Sequence, residues 1–124
     1  MPSPEEVVRE FCAAASTRDP HVLRGFLADD VVYHNIPMDP AVGIDAAMAV
    51  IDMFVTMCDG LEFELHHLAV DGDTVLTERT DIFTINGTTA PLPVMGSFRV
   101  VDGKIAEWRD YFDMAQVTAM FAPE

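Results

Sequence analysis

Basic side chains are scarce in this chain of 124 residues. Seven lysines and arginines stand against 21 aspartates and glutamates, which gives a formal net charge of −14 at pH 7. A surface of this charge repels nucleic-acid phosphates and anionic lipid head groups, so the composition argues against binding to either. It also disfavours an anionic ligand unless arginines converge locally. A neutral organic ligand fits the charge best.

Cysteine is also rare, and long apolar runs are missing. The two cysteines, Cys12 and Cys58, follow no zinc or redox spacing, and the four histidines form no ligand pattern. We therefore expect two buried thiols and no metal site. No apolar run approaches the ~20 residues that cross a bilayer, and the first residues, MPSPEEVV, are acidic rather than basic. The expectation is a cytoplasmic protein without a membrane span.

The remaining composition fits one folded domain over residues 1–124. Half of the residues are hydrophobic, and the length is enough for a single buried core but not for two. Ser3, Pro4 and Glu6 form the pattern of a capping box, which predicts a first helix that begins there and runs to about Arg18. Helical spacing of apolar residues predicts three further helices, over about 20–27, 45–57 and 114–120.

Strands are predicted where β-branched and aromatic residues accumulate between turn dipeptides. The first covers Val31–Ile36, and four more follow Gly60, at Leu61–Val70, Thr74–Ile85, Leu92–Val101 and Lys104–Tyr111. Dipeptides that favour tight hairpins separate these four: Asp71-Gly72, Asn86-Gly87 and Asp102-Gly103. Early helices followed by a meander of strands predict an α+β fold, in which the helices pack on one face of a curved sheet and leave a pocket between them.

Charged and polar residues occur between bulky apolar ones on the predicted strands. Side chains two positions apart share a face of a strand, so Arg79 and Asp81 lie together, as do Tyr33 and Asn35. Asp110 likewise stands among apolar neighbours on the last strand. Burying charges is costly unless they pair and form hydrogen bonds. The pattern is typical either of a site built by several strands or of a structural ion pair in the core, and it does not decide between them.

Three stretches of the chain resemble, in order and separation, the signature segments of the limonene-1,2-epoxide hydrolase family, within the NTF2-like, or SnoaL-like, superfamily. They are Tyr33-His34-Asn35, Glu78-Arg79-Thr80-Asp81 and Trp108-Arg109-Asp110-Tyr111-Phe112-Asp113. The resemblance implies an NTF2-like cone, in which N-terminal helices pack into a strongly curved, mixed but mostly antiparallel sheet, and it implies a homodimer. The chain departs from the family in a shorter N-terminal part and in His34, where a glutamine is expected.

By this resemblance, the site would hydrolyse an epoxide without a metal, an organic cofactor or a covalent intermediate. Asp110 would be the general base that takes a proton from a water held by Tyr33 and Asn35. Asp81 would be the general acid that protonates the epoxide oxygen, and Arg79 would lie between both carboxylates. A strained ring is already reactive but leaves a poor alkoxide unless it is protonated, so a positioned acid–base pair suits the reaction. Because desolvation favours the neutral cluster, we expect it to hold one proton near neutral pH, on Asp81.

The wall of the substrate pocket is expected to be apolar. Candidates for it are Phe112, Leu92, Val94, Phe54 and Met57, together with Met95 and Phe98. Phe112 leads because it shares a strand face with Asp110, whereas any single one of these residues is more often plain core than pocket wall. Other functions of the superfamily stay open: an isomerase, a polyketide or epoxide-opening cyclase, and a non-catalytic ligand-binding module. The Arg79–Asp81 pair disfavours the isomerase, which needs no second carboxylate joined through an arginine.

Overall fold

Two short helices precede the sheet, and the first begins as its capping box predicts. A computed structural model describes residues 1–122, with α1 at Pro4–Ala14, a turn of 3-10 helix at Ala15–Thr17 and α2 at Pro20–Arg24. The Ser3 hydroxyl accepts a hydrogen bond from the Glu6 amide at 3.2 Å, and the Glu6 carboxylate accepts one from the Ser3 amide at 3.1 Å. These bonds satisfy two amides that the first helical turn leaves free.

The sheet is mixed, as expected, with mostly antiparallel pairing. Its elements are β1 (Leu27–Asn35), β2 (Ala41–Val42), α3 (Ile44–Met57), β3 (Gly60–Asp71), β4 (Thr74–Ile85), β5 (Thr88–Val101) and β6 (Lys104–Tyr111), and α4 (Met114–Met120) follows. The strand order is β2-β1-β6-β5-β4-β3. Strands β3 to β6 form antiparallel hairpins, whereas β1 lies beside β6 in parallel. This parallel pair brings the first and last long strands together.

Some predicted boundaries are wrong, and tertiary pairing explains them. The second helix ends at Arg24 rather than near residue 27, and β1 begins four residues before the predicted Val31. Leu27 pairs with Ile105 of β6, and the Ile105 amide donates to the Phe26 carbonyl at 2.8 Å. A partner so distant in sequence overrides the local helical pattern. The short strand β2 was not predicted.

Strand β5 begins at Thr88, four residues before the predicted start at Leu92. The prolines Pro91 and Pro93 conceal this part of the strand because proline cannot donate to a ladder. The first part of β5 is an edge of the sheet on one side. Strand β5 pairs with β6 only from Met95 onward, while Pro91 and Pro93 pair with β4 alone. Proline is tolerated at such an edge.

The helices cover one face of the sheet with a predominantly apolar core. α1 packs against β3 and β5, and α3 packs against β1. Phe11 of α1 contacts Phe98 and Trp108 edge to face, with ring centroids 6.1 and 5.0 Å apart. Cys12 and Cys58 are free and buried, as predicted. Within the described residues, no helix is long and apolar enough to cross a bilayer.

Candidate active site

A row of small and polar residues crosses four strands on the face that the helices cover. The register pairs Thr77 of β4 with Gly96 of β5, Gly96 with Asp110 of β6, and Asp110 with Asn35 of β1. Arg79 stands two residues along β4 from Thr77, so its side chain points to the same face. The parallel β1–β6 pair is therefore what brings Asn35 beside a carboxylate from the far end of the chain.

The guanidinium of Arg79 joins Asp81 to Asp110. Its Nε and Nη2 donate to the two Asp81 oxygens at 3.0 and 2.9 Å, while Nη1 and Nη2 donate to the two Asp110 oxygens at 3.2 and 2.9 Å. Nη1 also donates to the Thr77 hydroxyl at 3.2 Å. All five N–H donors of the guanidinium thus have an acceptor. The structure brings together the three charged residues that the sequence singled out.

This cluster is almost completely buried. Arg79, Asp81 and Asp110 are 1, 4 and 3% exposed, and the Arg79 guanidinium carbon lies 4.7 Å from the centroid of the Phe63 ring. With both carboxylates ionised, one cation faces two anions and a net negative charge remains. Removing that charge from water is unfavourable, so the cluster favours a protonated, neutral state.

The electrostatics of the cluster follow from this burial. Burial raises the pKa of Asp81 to about 6 and the charge of Asp110 adds to the effect, although Arg79 opposes it. Burial acts to lower the pKa of Arg79, but the two carboxylates outweigh it and hold that pKa well above its ordinary value. The direction for Asp81 agrees with the predicted proton. A pKa of about 6 allows Asp81 to hold and to release a proton near neutral pH.

Tyr33 and Asn35 approach the cluster from β1. Both side chains are buried, and both line the cavity that reaches Asp81 and Asp110. The Tyr33 ring stacks on the Trp108 indole. Burial raises the pKa of the Tyr33 phenol, and the charge of Asp110 raises it further, so this group stays neutral and can both donate and accept a hydrogen bond.

The cavity lies between the helices and the sheet. It holds about 630 Å³ of space between side chains, counting its open mouth. Tyr33, Asn35, Asp81 and Asp110 supply the polar part of its lining. The rest is aliphatic or aromatic: Phe11, Ala15, Leu23, Ile51, Phe54, Val55, Leu61, Phe63, Phe83, Leu92, Val94, Trp108, Phe112 and Val117. Apolar walls around a few convergent polar groups are typical of a site for a small neutral molecule.

Most of the predicted wall residues reach this cavity, but the methionines do not. Phe112, Leu92, Val94 and Phe54 line it. Met57, the last residue of α3, is 43% exposed and lies outside the lining, so the structure does not bring it to the cavity.

Met95 and Phe98, two further candidates for the pocket wall, also lie outside the lining. Met95 points to the opposite face of β5 and is 52% exposed, because strand alternation places it between the inward-facing Val94 and Gly96. Phe98 lies fully buried in the core beneath Trp108.

Several lining residues were missed at the level of sequence. Phe83 carried a usable signal because it shares a β4 face with Arg79 and Asp81. Phe63 and Val117 carried no such signal in the sequence. The β3–β4 register brings Phe63 to the cavity, and the docking of α4 brings Val117 there. Thr77 shares the Arg79 face too, but its contact with the guanidinium depends on side-chain geometry.

The donor set around the cavity does not resemble a metal centre. Among residues 1–122, no group of three or more histidine, cysteine, aspartate or glutamate side chains converges. The two buried carboxylates are already bridged by a guanidinium, which would repel a cation placed between them. The chemistry available is proton transfer by two carboxylates beside hydroxyl and amide groups.

Comparisons with known proteins agree with this geometry. The chain matches the family model of the limonene-1,2-epoxide hydrolase catalytic domain over residues 2–122. It is 35% identical over 107 residues to epoxide hydrolase EphG of Mycobacterium tuberculosis strain H37Rv, covering 86% of this chain and 71% of that protein. The solved structure of an LEH-like epoxide hydrolase from M. tuberculosis is 33% identical, with a TM-score of 0.79, over 91% of this chain and 84% of that one.

The fold recurs in a more distant structure. An NTF2-like protein of unknown function from Burkholderia pseudomallei is 23% identical, with a TM-score of 0.86, and covers 99% of this chain and 100% of that one. At this identity the likeness concerns the fold alone. It confirms the predicted NTF2-like architecture.

Proposed function

The chain belongs to the limonene-1,2-epoxide hydrolase family, and from that premise we propose that it adds water to a neutral, apolar epoxide in one step and releases a vicinal diol. Family membership supports hydrolase activity on epoxides in general. The observation that carries the finer proposal is the single buried guanidinium bridging Asp81 and Asp110 at the wall of an apolar cavity.

The proposed base is Asp110. Its carboxylate lines the cavity opposite Asn35 in the β1–β6 ladder, and Tyr33 lies two residues along the same strand. A water bound to the Tyr33 hydroxyl and the Asn35 amide would lie within reach of that carboxylate. Asp110 would take one proton from this water as its oxygen attacks a ring carbon.

The proposed acid is Asp81, whose burial raises its pKa to about 6. A carboxyl group that retains its proton can give it to the epoxide oxygen as the ring C–O bond breaks. The electron pair of that bond stays on the oxygen, which becomes the second hydroxyl of the diol. Arg79 would hold both carboxylates in place and would itself transfer no proton, because its pKa is held well above the ordinary value.

Proton balance also follows from this arrangement. Asp110 ends the reaction with the proton it gained, and Asp81 ends it with the proton it lost. One proton must therefore return from Asp110 to Asp81 before the next turnover. We propose that a water in the cavity carries this proton between the two carboxylates, which bind the same guanidinium nitrogen, Nη2.

Turnover tests the proposal directly. Purified protein is incubated with cyclic and aryl-substituted epoxides, and the products are separated by gas chromatography. Accumulation of diol supports the proposal. Product that is isomeric with the substrate instead indicates an isomerase or an epoxide-opening cyclase, and binding without turnover indicates a ligand-binding module.

The oxygen source distinguishes direct attack by water from attack by an aspartate. With enzyme in excess over epoxide, the first turnover is run in ¹⁸O-water and the diol is analysed by mass spectrometry. Direct attack places one ¹⁸O in that diol. An aspartate nucleophile would pass on an unlabelled protein oxygen, and first-turnover diol without label would rule out the one-step mechanism.

The homodimer and the cytoplasmic location stay predictions. The sheet face turned away from the helices exposes Leu76, Met95 and Tyr111. Met95 and Tyr111 are direct partners on β5 and β6, and Leu76 lies two residues along β4 from Glu78, the β4 partner of Met95. A second copy packed on this face would bury them. Sedimentation velocity of the wild type and of Met95→Glu measures the dimer, and an unchanged monomeric species in both would exclude it at the concentrations used.

A further inference from the structure

Gly96 occupies an inward-facing position of β5 between Val94 and Phe98. Its φ lies outside the left-handed region, unlike Gly87 and Gly103 in the hairpin turns. The backbone at Gly96 is therefore an ordinary strand conformation that any residue adopts. Glycine normally weakens a strand interior, so its presence here requires another reason, such as close approach of a neighbouring group.

That reason is the space that a side chain would fill. A Cβ atom at position 96 would lie 2.7 Å from Asp110 Oδ1 and 2.9 Å from Thr77 Oγ1, and closer still to Arg79 Nη1. Real Cβ atoms do not approach their neighbours so closely. A methyl group added at position 96 would therefore have to push the Arg79 guanidinium and the Asp110 carboxylate apart.

Thr77 completes the surroundings of the guanidinium on the same side. Its hydroxyl oxygen accepts the one Arg79 N–H that neither carboxylate accepts, at 3.2 Å, and the hydroxyl donates onward to the Gly96 carbonyl at 3.4 Å. Thr77 is 1% exposed, so bulk water does not reach this acceptor. Without it, one buried N–H of a charged group would be left unsatisfied, which is costly.

We propose that Thr77 and Gly96 form a socket that holds the Arg79 guanidinium in register with Asp110, and that both are positioning residues for the hydrolysis. The absent side chain of Gly96 supplies the room, and the Thr77 hydroxyl fixes the rotation of the guanidinium about its long axis. Neither residue lines the cavity. The proposal rests on the proposed epoxide hydrolysis for its kinetic consequences, but not for its geometry.

Substitutions in the socket separate positioning from folding. Gly96→Ala adds one methyl group against the guanidinium, and a displacement of about 1 Å in a catalytic group lowers turnover by roughly 100-fold. We expect kcat to fall by that order while KM changes less than about threefold, because the apolar walls of the cavity are untouched. Gly60→Ala is the matched control: it adds a methyl group at the start of β3, where the neighbouring atoms belong to the Thr84 side chain, 3.2 Å away. It should retain wild-type kcat.

Two substitutions at Thr77 separate the contribution of its hydroxyl from that of its methyl group. Thr77→Val keeps the shape but removes the acceptor, and we expect kcat to fall by about tenfold, the usual consequence of losing one buried hydrogen bond. Thr77→Ser restores the acceptor and should recover at least half of wild-type kcat. Equal kcat in the valine and serine variants would overturn the role of the hydroxyl.

The pH profile provides a readout that a merely structural defect would not move. A carboxylate separated from its cation holds a proton to higher pH. In Gly96→Ala the acid limb of kcat/KM should therefore shift upward by at least half a pH unit, whereas Gly60→Ala should leave it unchanged. A Gly96→Ala variant with kcat within threefold of wild type and an unshifted limb would contradict the socket.

Side-chain NMR tests the socket independently of turnover. In the wild type, a guanidinium with every N–H bonded should rotate slowly and give separate ¹H–¹⁵N signals for Nη1 and Nη2 of Arg79, assigned with Arg79→Lys. Thr77→Val should broaden or lose the Nη1 signals, and Thr77→Ser should keep them. If wild type gives these signals but no diol from any epoxide, the proposed function fails and the socket stands; if Thr77→Val keeps them, the socket fails. The comparison of Thr77→Val with Thr77→Ser decides the proposal even if Gly96→Ala does not fold.

Discussion

The phenol ring of Tyr33 stacks face to face on the indole of Trp108, with the ring centroids 3.9 Å apart and the planes 7° from parallel. The two residues are direct partners in the parallel β1–β6 ladder, and the next inward pair along it is Asn35 with Asp110. The same pairing therefore fixes the Tyr33 ring and places the amide of Asn35 beside the proposed base. Trp108 is itself held between Tyr33 and Phe98.

This stacking separates two contributions of Tyr33. Tyr33→Phe keeps the ring on the indole and removes only the hydroxyl proposed to bind water, so we expect kcat to fall by 10- to 100-fold while the melting temperature changes little. Tyr33→Leu removes the stacked ring as well, and it should lower both kcat and the melting temperature. Steady-state kinetics and thermal unfolding on both variants measure the difference. A Tyr33→Phe enzyme with kcat within twofold of wild type would exclude the hydroxyl from holding the water.

Substituting the carboxylates tests the proposed acid and base. Asp81→Asn and Asp110→Asn preserve the size of the side chain and keep one oxygen that can accept a hydrogen bond from Arg79, but an amide neither accepts nor releases the required proton. We expect each variant to fold and to retain less than about a tenth of wild-type turnover. Asp29→Asn, an exposed position on β1, is the control and should match wild type. Turnover above that level in either variant would remove that residue from its proposed role.

The sequence predicts the charged cluster well because strand alternation is a local property. Arg79 and Asp81 share a face whatever the sheet does, and the hairpin dipeptides keep β4 to β6 in neighbouring positions. The strand predicted for Thr74–Ile85 has the observed bounds. Patterns that repeat every two residues and turns of fixed chemistry are therefore enough to assemble this half of the site.

What could not be predicted depends on contacts between distant segments. The parallel pairing of β1 with β6 follows from no local pattern, yet it sets where Asn35 lies. Met57 has the composition of a pocket residue, but the last turn of α3 carries it away from the cavity. The role of Gly96 was equally hidden, because a missing side chain has meaning only when its neighbours are known.

The stability of the fold should depend on pH through Asp81. Burial raises its pKa from 3.8 to about 6, so the folded state binds more protons than the unfolded state between these values. The contribution of Asp81 to the free energy of unfolding is therefore fully present below about pH 4 and is lost as the pH rises through about 6. Above that pH the contribution no longer changes. In Asp81→Asn this dependence is absent, so its melting temperature relative to wild type should increase between pH 4 and pH 7.

Asp29→Asn again provides the control for this measurement, since an exposed carboxylate should give a difference from wild type that is nearly constant with pH. Differential scanning calorimetry at intervals of half a pH unit resolves the two curves. If the Asp81→Asn difference were constant as well, the side chain would not be carrying a raised pKa in the folded protein.

The rate of hydrolysis should depend on pH in a way that differs between kcat/KM and kcat. The profile of kcat/KM reports the free protein, where the pKa of Asp81 is about 6, so kcat/KM should fall as the pH rises above that value and the acid loses its proton. It should also fall on the acid side, where the base becomes protonated, and both limbs belong to the coupled pair.

An apolar substrate displaces water from the cavity and favours the neutral cluster further, so the alkaline limb of kcat should lie at higher pH than that of kcat/KM. Stopped-flow measurements with a solvent isotope effect establish that proton transfer limits the rate. When proton transfer limits the rate, a kcat/KM that stays flat from about pH 5 to 9 in a folded protein would exclude catalysis by a proton shared between Asp81 and Asp110.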